Sequence, residues 1–246
     1  MSPTPTTQST ASQTSAAFER LRADIIGGVL APGLKLKVEW LQELYPFGIT
    51  PLRQALGLLI STGLVERVDQ RGFRVAPVSL DHFEELLWTR SQLEETALRD
   101  AIERGGRDWE ERIVLALYHL DRTPRPDAEA ATPGDAGGWE ACHKTFHMTI
   151  LSACRARRLL AICEQLYDAN SRYRHLARIH TANAASAYSE HKRIADAVLE
   201  RDVETAVTTL RQHYHRTGDL LRSYLAAASA TQRPDLAEAG PAKQIA

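Results

Sequence analysis

Two histidines, His143 and His147, stand four residues apart in the segment Glu140-Ala-Cys-His-Lys-Thr-Phe-His147, which follows a helical pattern. On an α-helix, four residues advance the side chain by about 400°, so both imidazoles lie on one face about one turn apart. This is the geometry of a two-pronged metal ligand, and neutral imidazole suits Zn²⁺, Ni²⁺ and neighbouring divalent metals. The pair therefore predicts a divalent metal site, with Zn or Ni favoured, that further residues must complete.

Two more histidines fall where the same site can gather them. His191 lies near the middle of a later helical pattern and His213 in the last one, each about ten residues from a tight connection near Arg201-Asp202. Residues equally distant from a hairpin turn end up level with each other. Any one of these histidines is more often a polar residue hydrogen-bonded within a bundle. Because four of them converge, a metal site is the favoured interpretation.

A catalytic metal is the main alternative. Hydrolytic zinc sites often use His-Glu-x-x-His, in which the glutamate is the general base. Here the second position is Lys144, and a cationic side chain cannot take a proton from metal-bound water. A di-iron bundle needs two Glu-x-x-His motifs, and Glu140-Ala-Cys-His143 is the one match. We therefore expect no enzyme activity and keep a metal-dependent helical-bundle enzyme acting on a small organic acid as the second hypothesis.

The elements that position the histidines belong to a chain of 246 residues, 43% of them hydrophobic, with a formal net charge of −1. This composition suits one or two packed globular domains. No apolar run approaches the roughly 18 residues of a membrane helix, and the N-terminus lacks the order of a signal peptide. We therefore predict a cytoplasmic protein without a membrane partner.

After Met1, residues up to about 15 are Ser, Thr, Pro, Gln and Ala, with no charged or large apolar side chain, so residues 1–15 predict a disordered arm. Residues 16–78 predict a winged helix-turn-helix of three helices and two strands. The first helix ends at Gly27-Gly28, the second is expected around Val38 to Tyr45, and the third from Thr50 to about Ser61. We expect the Thr50 hydroxyl to cap that third helix.

In a winged helix-turn-helix, the third helix would enter the major groove and the wing would lie along the DNA backbone or in the minor groove. This segment holds eight Lys/Arg against six Asp/Glu, which permits DNA binding without demonstrating it. A structural α+β subdomain with a basic hairpin is the alternative. The residues that we assign to DNA are Thr50, Arg53, Gln54, Arg71 and Gly72.

From Leu80 onward every pattern is helical, so residues 79–228 predict an all-α antiparallel helical bundle. A proline- and glycine-rich connection from Arg122 to Gly138 is predicted to be mobile, and residues 229–246 to form a flexible tail. The predicted fold is mainly α. Six helices are expected, at about 81–104, 108–120, 139–153, 156–178, 183–200 and 202–226.

The N-terminal motifs resemble the DNA-binding domain of GntR-type bacterial transcription regulators. They are Ala31-Pro-Gly-Leu-Lys-Leu, Thr50-Pro-Leu-Arg-Gln-Ala-Leu56, Gly63-Leu-Val-Glu and Arg71-Gly-Phe-Arg-Val75. The resemblance implies that Arg53 is the arginine presented to a base or phosphate at the start of the recognition helix. Members commonly carry Ser-Arg where Gly48-Ile49 stands here; if that arginine touches DNA, the contact is lost and the operator differs.

The later motifs Arg90-Ser-Gln-Leu-Glu-Glu-Thr-Ala97, Phe146-His147 and Glu190-His191 resemble the FCD effector domain of the FadR branch of GntR regulators. In metal-binding members, an aspartate and three histidines hold the metal. Carried over by position, His147, His191 and His213 match these histidines, and His143 occupies the aspartate position. This substitution keeps a ligand but removes a negative charge, which bears on metal preference and affinity.

The resemblance also implies a cavity in which a small carboxylate completes the coordination of the metal. Arg90 matches a position that often faces this cavity, and its guanidinium can clamp a carboxylate through two parallel hydrogen bonds. A surface salt bridge between Arg90 and Glu94 is the alternative. Arg172 and Arg174 are weaker candidates, of which Arg172 is the one that we assign to the effector.

Together these features predict a ligand-responsive regulator, of the repressor type that is commoner among such proteins. It is expected to bind double-stranded operator DNA as a homodimer. Effector binding would shift the packing of the bundle helices and hence the spacing of two DNA-binding heads.

Overall fold

The computed structural model describes residues 10–68, 72–124, 137–178 and 184–231. Its N-terminal domain combines three helices with a small antiparallel sheet of strand order β1-β3-β2. The elements are α1 (Thr10–Ile26), β1 (Lys35–Leu36), α2 (Val38–Leu44), α3 (Ile49–Ser61), β2 (Val65–Val68) and β3 (Gly72–Val75).

The packing of α1 against α3 forms the centre of this domain. Leu21 and Ile25 of α1 and Leu52, Leu56 and Leu59 of α3 are all fully buried. Their spacing places one apolar stripe on each helix, so the opposite side of α3 faces solvent. The predicted winged helix-turn-helix architecture is confirmed.

Three local predictions for this domain are wrong. Helix α1 begins at Thr10, so residues 10–15 are helical and not part of a disordered arm; the Thr14 hydroxyl donates to Gln54 Oε1 of α3 at 2.7 Å and ties this extension down. Helix α3 begins at Ile49, and its N-cap is Gly48, without a side-chain cap. Thr50 is therefore inside the first turn, where the missing N–H of the following proline costs nothing.

The third wrong prediction concerns the sheet, which has a strand that the sequence pattern did not indicate. Lys35 pairs with Arg74 and Leu36 with Phe73, so β1 covers the free edge of β3. Two residues are too few to show an alternating pattern. The strand forms because the pairing partner is supplied by tertiary structure.

The C-terminal domain is a bundle of six described helices, as predicted. They are α4 (Leu80–Arg104), α5 (Arg107–Arg122), α6 (Gly137–Leu151), α7 (Arg157–Arg178), α8 (Ala184–Leu199) and α9 (Val203–Thr231). The Ser79 hydroxyl caps α4 by accepting from the His82 N–H at 3.1 Å. Residues 1–9, most of the predicted mobile connection (125–136) and 232–246 of the predicted tail lie outside the described residues, whereas residues 229–231 belong to α9.

The interior of the bundle combines apolar and polar side chains. Phe83, Phe146, Ile150, Ile194 and Leu210 are among its buried residues. A layer of buried arginine, glutamate and histidine side chains lies among them. None of the helices in the described ranges is long and apolar enough to cross a lipid bilayer.

Candidate metal centre

Four buried histidines from three helices converge in the middle of the bundle. His143 and His147 come from α6, His191 from α8 and His213 from α9. One ring nitrogen from each lies within 4.8 Å of the others. At a metal–nitrogen distance of about 2.1 Å, two ligands of one ion lie about 3.4 Å apart in tetrahedral geometry and at most about 4.2 Å apart on opposite sides of a six-coordinate ion, so the cluster has to contract to bind one ion.

The two histidines of α6 already have the separation of two ligands of one ion. Their Nε2 atoms are 3.2 Å apart, whereas two nitrogens on a tetrahedral zinc ion lie about 3.4 Å apart. The imidazoles of His191 and His213 are level across the α8–α9 hairpin, with ring centroids 4.7 Å apart. The helical spacing and the hairpin rule thus bring together the four predicted residues.

Hydrogen bonds to the other ring nitrogens orient these imidazoles. Glu190 Oε2 lies 2.8 Å from Nδ1 of His213, so a proton on Nδ1 leaves Nε2 available as a ligand atom. The Tyr167 hydroxyl lies 2.5 Å from Nδ1 of His143, with the same effect when Nδ1 donates. Carboxylate and hydroxyl partners of this kind fix the ring and raise its basicity in metal sites.

Burial keeps the cluster in the form that binds metal. Desolvation lowers the pKa of His143, His147 and His213, and in His143 and His147 the pKa falls well below the ordinary value. For His213 the Glu190 carboxylate opposes this fall without reversing it. These three imidazoles are therefore neutral near pH 7, so none of them has to lose a proton when a cation binds.

A small cavity lies beside His213. Its free volume is about 10 Å³, room for about one water molecule. An organic ligand would therefore need side chains to move. The lining residues are Phe83, Leu87, Arg90, Asn170, Arg174, His213 and Tyr214.

Arg90 combines the two roles that its sequence position suggested. It lines the cavity, and its Nε also lies 2.6 Å from Oε1 of Glu94. Both side chains are only 1% exposed, so this ion pair is buried and is not the surface salt bridge of the alternative. The Tyr214 hydroxyl accepts from Arg90 Nη2 at 3.0 Å and donates to Glu94. Burial alone would lower the pKa of Arg90, but the Glu94 carboxylate raises it, and the guanidinium stays charged.

The assignment of Arg172 to the cavity is wrong. Its guanidinium points away from the histidines and donates to the carbonyl of Ala76, between the two domains. Arg174 lines the cavity instead and donates to Glu140 Oε2 at 2.8 Å and to the Tyr167 hydroxyl at 3.0 Å. Two residues along a helix turn the side chain by about 200°, so only one of the two arginines can face the cluster.

Four of the five residues that we assign to DNA are described in the structure, and all four are exposed. Thr50, Arg53 and Gln54 are exposed on α3. Gly72 opens β3 with φ of +86°, a left-handed conformation that favours glycine. Arg71 lies outside the described residues.

Sequence reasoning missed several polar residues around the site: Tyr167, Glu190 and Tyr214, which contact the histidines, and Asn170, which contacts the cavity arginines. One signal was available for α7: Tyr167 and Arg174 are seven residues apart, two turns of one helix face. The partners on α9 carry no such signal, because Tyr214 follows His213 directly and its side chain points about 100° away.

Two family models match the chain. Residues 13–75 match the model described as bacterial regulatory proteins, gntR family, and residues 85–216 match the FCD domain model. The two matches coincide with the N-terminal domain and the helical bundle.

Curated relatives match over most of the chain. The HTH-type transcriptional regulator BphR of Paraburkholderia xenovorans (strain LB400) is 35% identical over 213 residues, 85% of each chain. The HTH-type transcriptional repressor GlaR of Escherichia coli (strain K12) is 32% identical over 200 residues, 80% of this chain and 90% of that protein.

Solved structures share the fold. Escherichia coli McbR/YncC matches with a TM-score of 0.72 at 21% identity, over 86% of this chain and 98% of that chain. A transcriptional regulator GntR from Rhodococcus sp. RHA1 matches with a TM-score of 0.61 at 21% identity, over 89% and 96% of the two chains. At this identity the likeness concerns the fold alone.

Proposed function

Because the chain belongs to the GntR family of bacterial transcription regulators and carries an FCD domain, we propose that it regulates transcription in response to a small carboxylate bound at a divalent metal in the four-histidine cluster. Its relatives and its fold are those of regulators and not of enzymes. Regulators of this family bind operator DNA and are generally dimeric.

The convergence of four buried imidazoles carries the sensor part of the proposal. A single buried histidine can be satisfied by one or two hydrogen bonds, but packing four of them within 4.8 Å puts polar rings where apolar side chains would otherwise stabilise the bundle. A divalent ion bound there would supply positive charge, and in a five- or six-coordinate geometry it would keep a position open for a carboxylate oxygen. The donor set of neutral nitrogens suits Zn²⁺ or Ni²⁺ and offers no carboxylate ligand.

The residues beside the cluster fit an anionic ligand. Arg90 and Arg174 line the cavity, and the Asn170 side-chain oxygen accepts from Arg90 at 2.9 Å and from Arg174 at 3.3 Å in the amide orientation that satisfies both groups. Each guanidinium is partnered by a carboxylate of the chain, Glu94 or Glu140. An incoming carboxylate would replace or share these partners, and that exchange would move the helices that carry them.

On the DNA side, we propose that the exposed face of α3 enters the major groove, with Arg53 as the principal contact. Thr50 and Gln54 flank it on the same face, and Gly72 and Arg71 belong to the wing. A homodimer would present two such helices to half-sites one helical turn apart. GlaR is named a repressor, and we propose that this protein also represses transcription.

Elemental analysis tests the sensor part directly. Protein purified without chelator or affinity-tag metal is expected to contain a stoichiometric amount of zinc or nickel. The double variant His147→Ala/His191→Ala is expected to lose it. Full retention of metal in that variant would refute the ligand set.

Thermal shifts test the ligand class. A panel of small mono- and dicarboxylates is added to the metal-loaded protein and to the chelated protein. A carboxylate that stabilises only the metal-loaded form supports the proposal. Equal shifts with and without metal would place the carboxylate elsewhere.

A further inference from the structure

Helix α7 lies between the four-histidine cluster and the DNA-binding domain, and its two faces serve different partners. The inner face carries Tyr167 and Arg174, which contact His143 and the cavity. The outer face carries Asp168 and Arg172, which contact the N-terminal domain and the segment that leads out of it. Both sets of contacts are made within two and a half turns of one rigid helix.

Asp168 connects three helices through one carboxylate. It forms a salt bridge with Arg22 of α1, across the boundary between the domains. Its Oδ1 also lies 3.0 Å from Nζ of Lys144 on α6. Lys144 directly follows His143 in the chain, so the carboxylate that holds α1 also holds the helix that bears two of the histidines. The Asp168 and Arg22 side chains are 16% and 20% exposed, so water screens this bridge only in part.

A second set of contacts holds the segment between the domains. The Arg172 guanidinium donates to the carbonyl of Ala76 and is itself buried. Tyr173 packs on Phe83 of α4, with ring centroids 5.1 Å apart. Burial lowers the pKa of Arg172, and the attraction to Tyr173 and to the Glu66 carboxylate opposes this fall without reversing it. The chain between the domains is thus held on α7 at Ala76 before the segment 77–79 and at Phe83 after it, and burial of Arg172 is an electrostatic cost of this arrangement.

We propose that the outer face of α7 is the docking surface for the chain's own DNA-binding domain, and that Asp168 and Arg172 set the position of this domain according to the state of the metal site. The proposal rests on the proposed function for its input signal. A shift of Tyr167 with His143, or of Arg174 with a ligand, turns or slides α7. The same movement displaces the Asp168–Arg22 bridge and the Arg172–Ala76 contact, which lie within five residues of these groups. Packed helices move as units, so small shifts at one face reach the other.

Hydrogen–deuterium exchange of the full chain tests the docking surface without a known operator. In metal-free protein, Asp168→Asn and Arg22→Gln are each expected to raise exchange about fivefold in α1 and in residues 76–79, as loss of one partly buried salt bridge implies. Glu164→Gln is the matched control. It removes an acidic partner of Lys144 (2.8 Å) from the same helix one turn away and leaves α1 untouched. Equal exchange in Asp168→Asn and Glu164→Gln would overturn the docking role.

Addition of Zn²⁺ tests the coupling. In the wild type, exchange is expected to change in α6, α8 and α9 and also in α1; in Asp168→Asn it is expected to change in α6, α8 and α9 alone. If Zn²⁺ protects the histidine helices in the wild type but exchange in α1 does not change, the coupling is refuted while the metal site is supported. If Zn²⁺ protects none of the histidine helices, the metal site is refuted, and so is its coupling to α1. The docking surface is tested separately, by the comparison of the variants in metal-free protein.

Discussion

Removal of the Glu190 carboxylate is expected to weaken Zn²⁺ binding by about 10- to 100-fold, or about 1.4–2.7 kcal/mol. The structure gives the reason. Glu190 Oε2 is 2.8 Å from Nδ1 of His213, and both side chains are 9% exposed, so the charge acts on the ring with little screening. In Glu190→Ala the ring loses its orienting acceptor and part of its basicity. The Arg216 guanidinium, which pairs with the same carboxylate, loses its partner too.

Competition with a chromophoric zinc chelator measures this effect. Glu190→Gln should fall between wild type and Glu190→Ala, because an amide oxygen still accepts from Nδ1 but carries no charge. Asp196→Ala is the control on the same helix, since Asp196 is half exposed and pairs with Lys192 alone in the contacts described. If Glu190→Ala binds zinc as tightly as Asp196→Ala does, the carboxylate does not support His213 as a ligand.

The remaining predictions concern the other parts of the chain. Arg53→Ala should weaken binding to DNA duplexes that the wild type selects from a random library by about 1–3 kcal/mol, measured by an anisotropy titration. Its metal content should be unchanged. Undiminished DNA binding would show that Arg53 is not part of the interface. Arg90→Met should lower the free energy of unfolding, measured in urea, by about 3–5 kcal/mol, because it leaves the Glu94 carboxylate buried without its cation. The double variant Arg90→Met/Glu94→Gln should recover most of this loss. A loss below about 1 kcal/mol in Arg90→Met would show that Glu94 does not need the cation. The metal-free protein should lose stability as the pH falls below about 6.5, by about 1.4 kcal/mol per pH unit for each of the three histidines with a lowered pKa. The reason is that these histidines are protonated in the unfolded chain at a pH at which they are still neutral in the folded protein. Urea unfolding over a pH series measures it, and a flat profile would contradict the burial of neutral imidazoles.

The convergence of the four histidines was predictable because it follows from helix periodicity. The four-residue spacing of His143 and His147 and the equal distance of His191 and His213 from a turn both depend on local chain geometry. The side chains that hydrogen-bond to these rings were harder to predict from the sequence. They come from different helices, whose rotation about their own axes is decided by packing.

Two errors show where local pattern stops being informative. Arg172 and Arg174 are equally polar and lie in one motif, and only the orientation of α7 decides which of them faces the cavity. Strand β1 has two residues and exists because β3 offers an edge to pair with. In both places tertiary structure supplies information that a single stretch of sequence does not hold.

The Arg90–Glu94 pair gives the cavity an internal competitor. Glu94 sits one helical turn from Arg90 and holds its guanidinium with a 2.6 Å contact, so any carboxylate arriving from solution meets a tethered carboxylate already in place. A tethered group acts at an effective concentration in the millimolar range or above. Under the proposed function, the pair would therefore set a threshold: a carboxylate at low concentration would leave the arginine with Glu94, and only an abundant or multiply anchored carboxylate would displace Glu94.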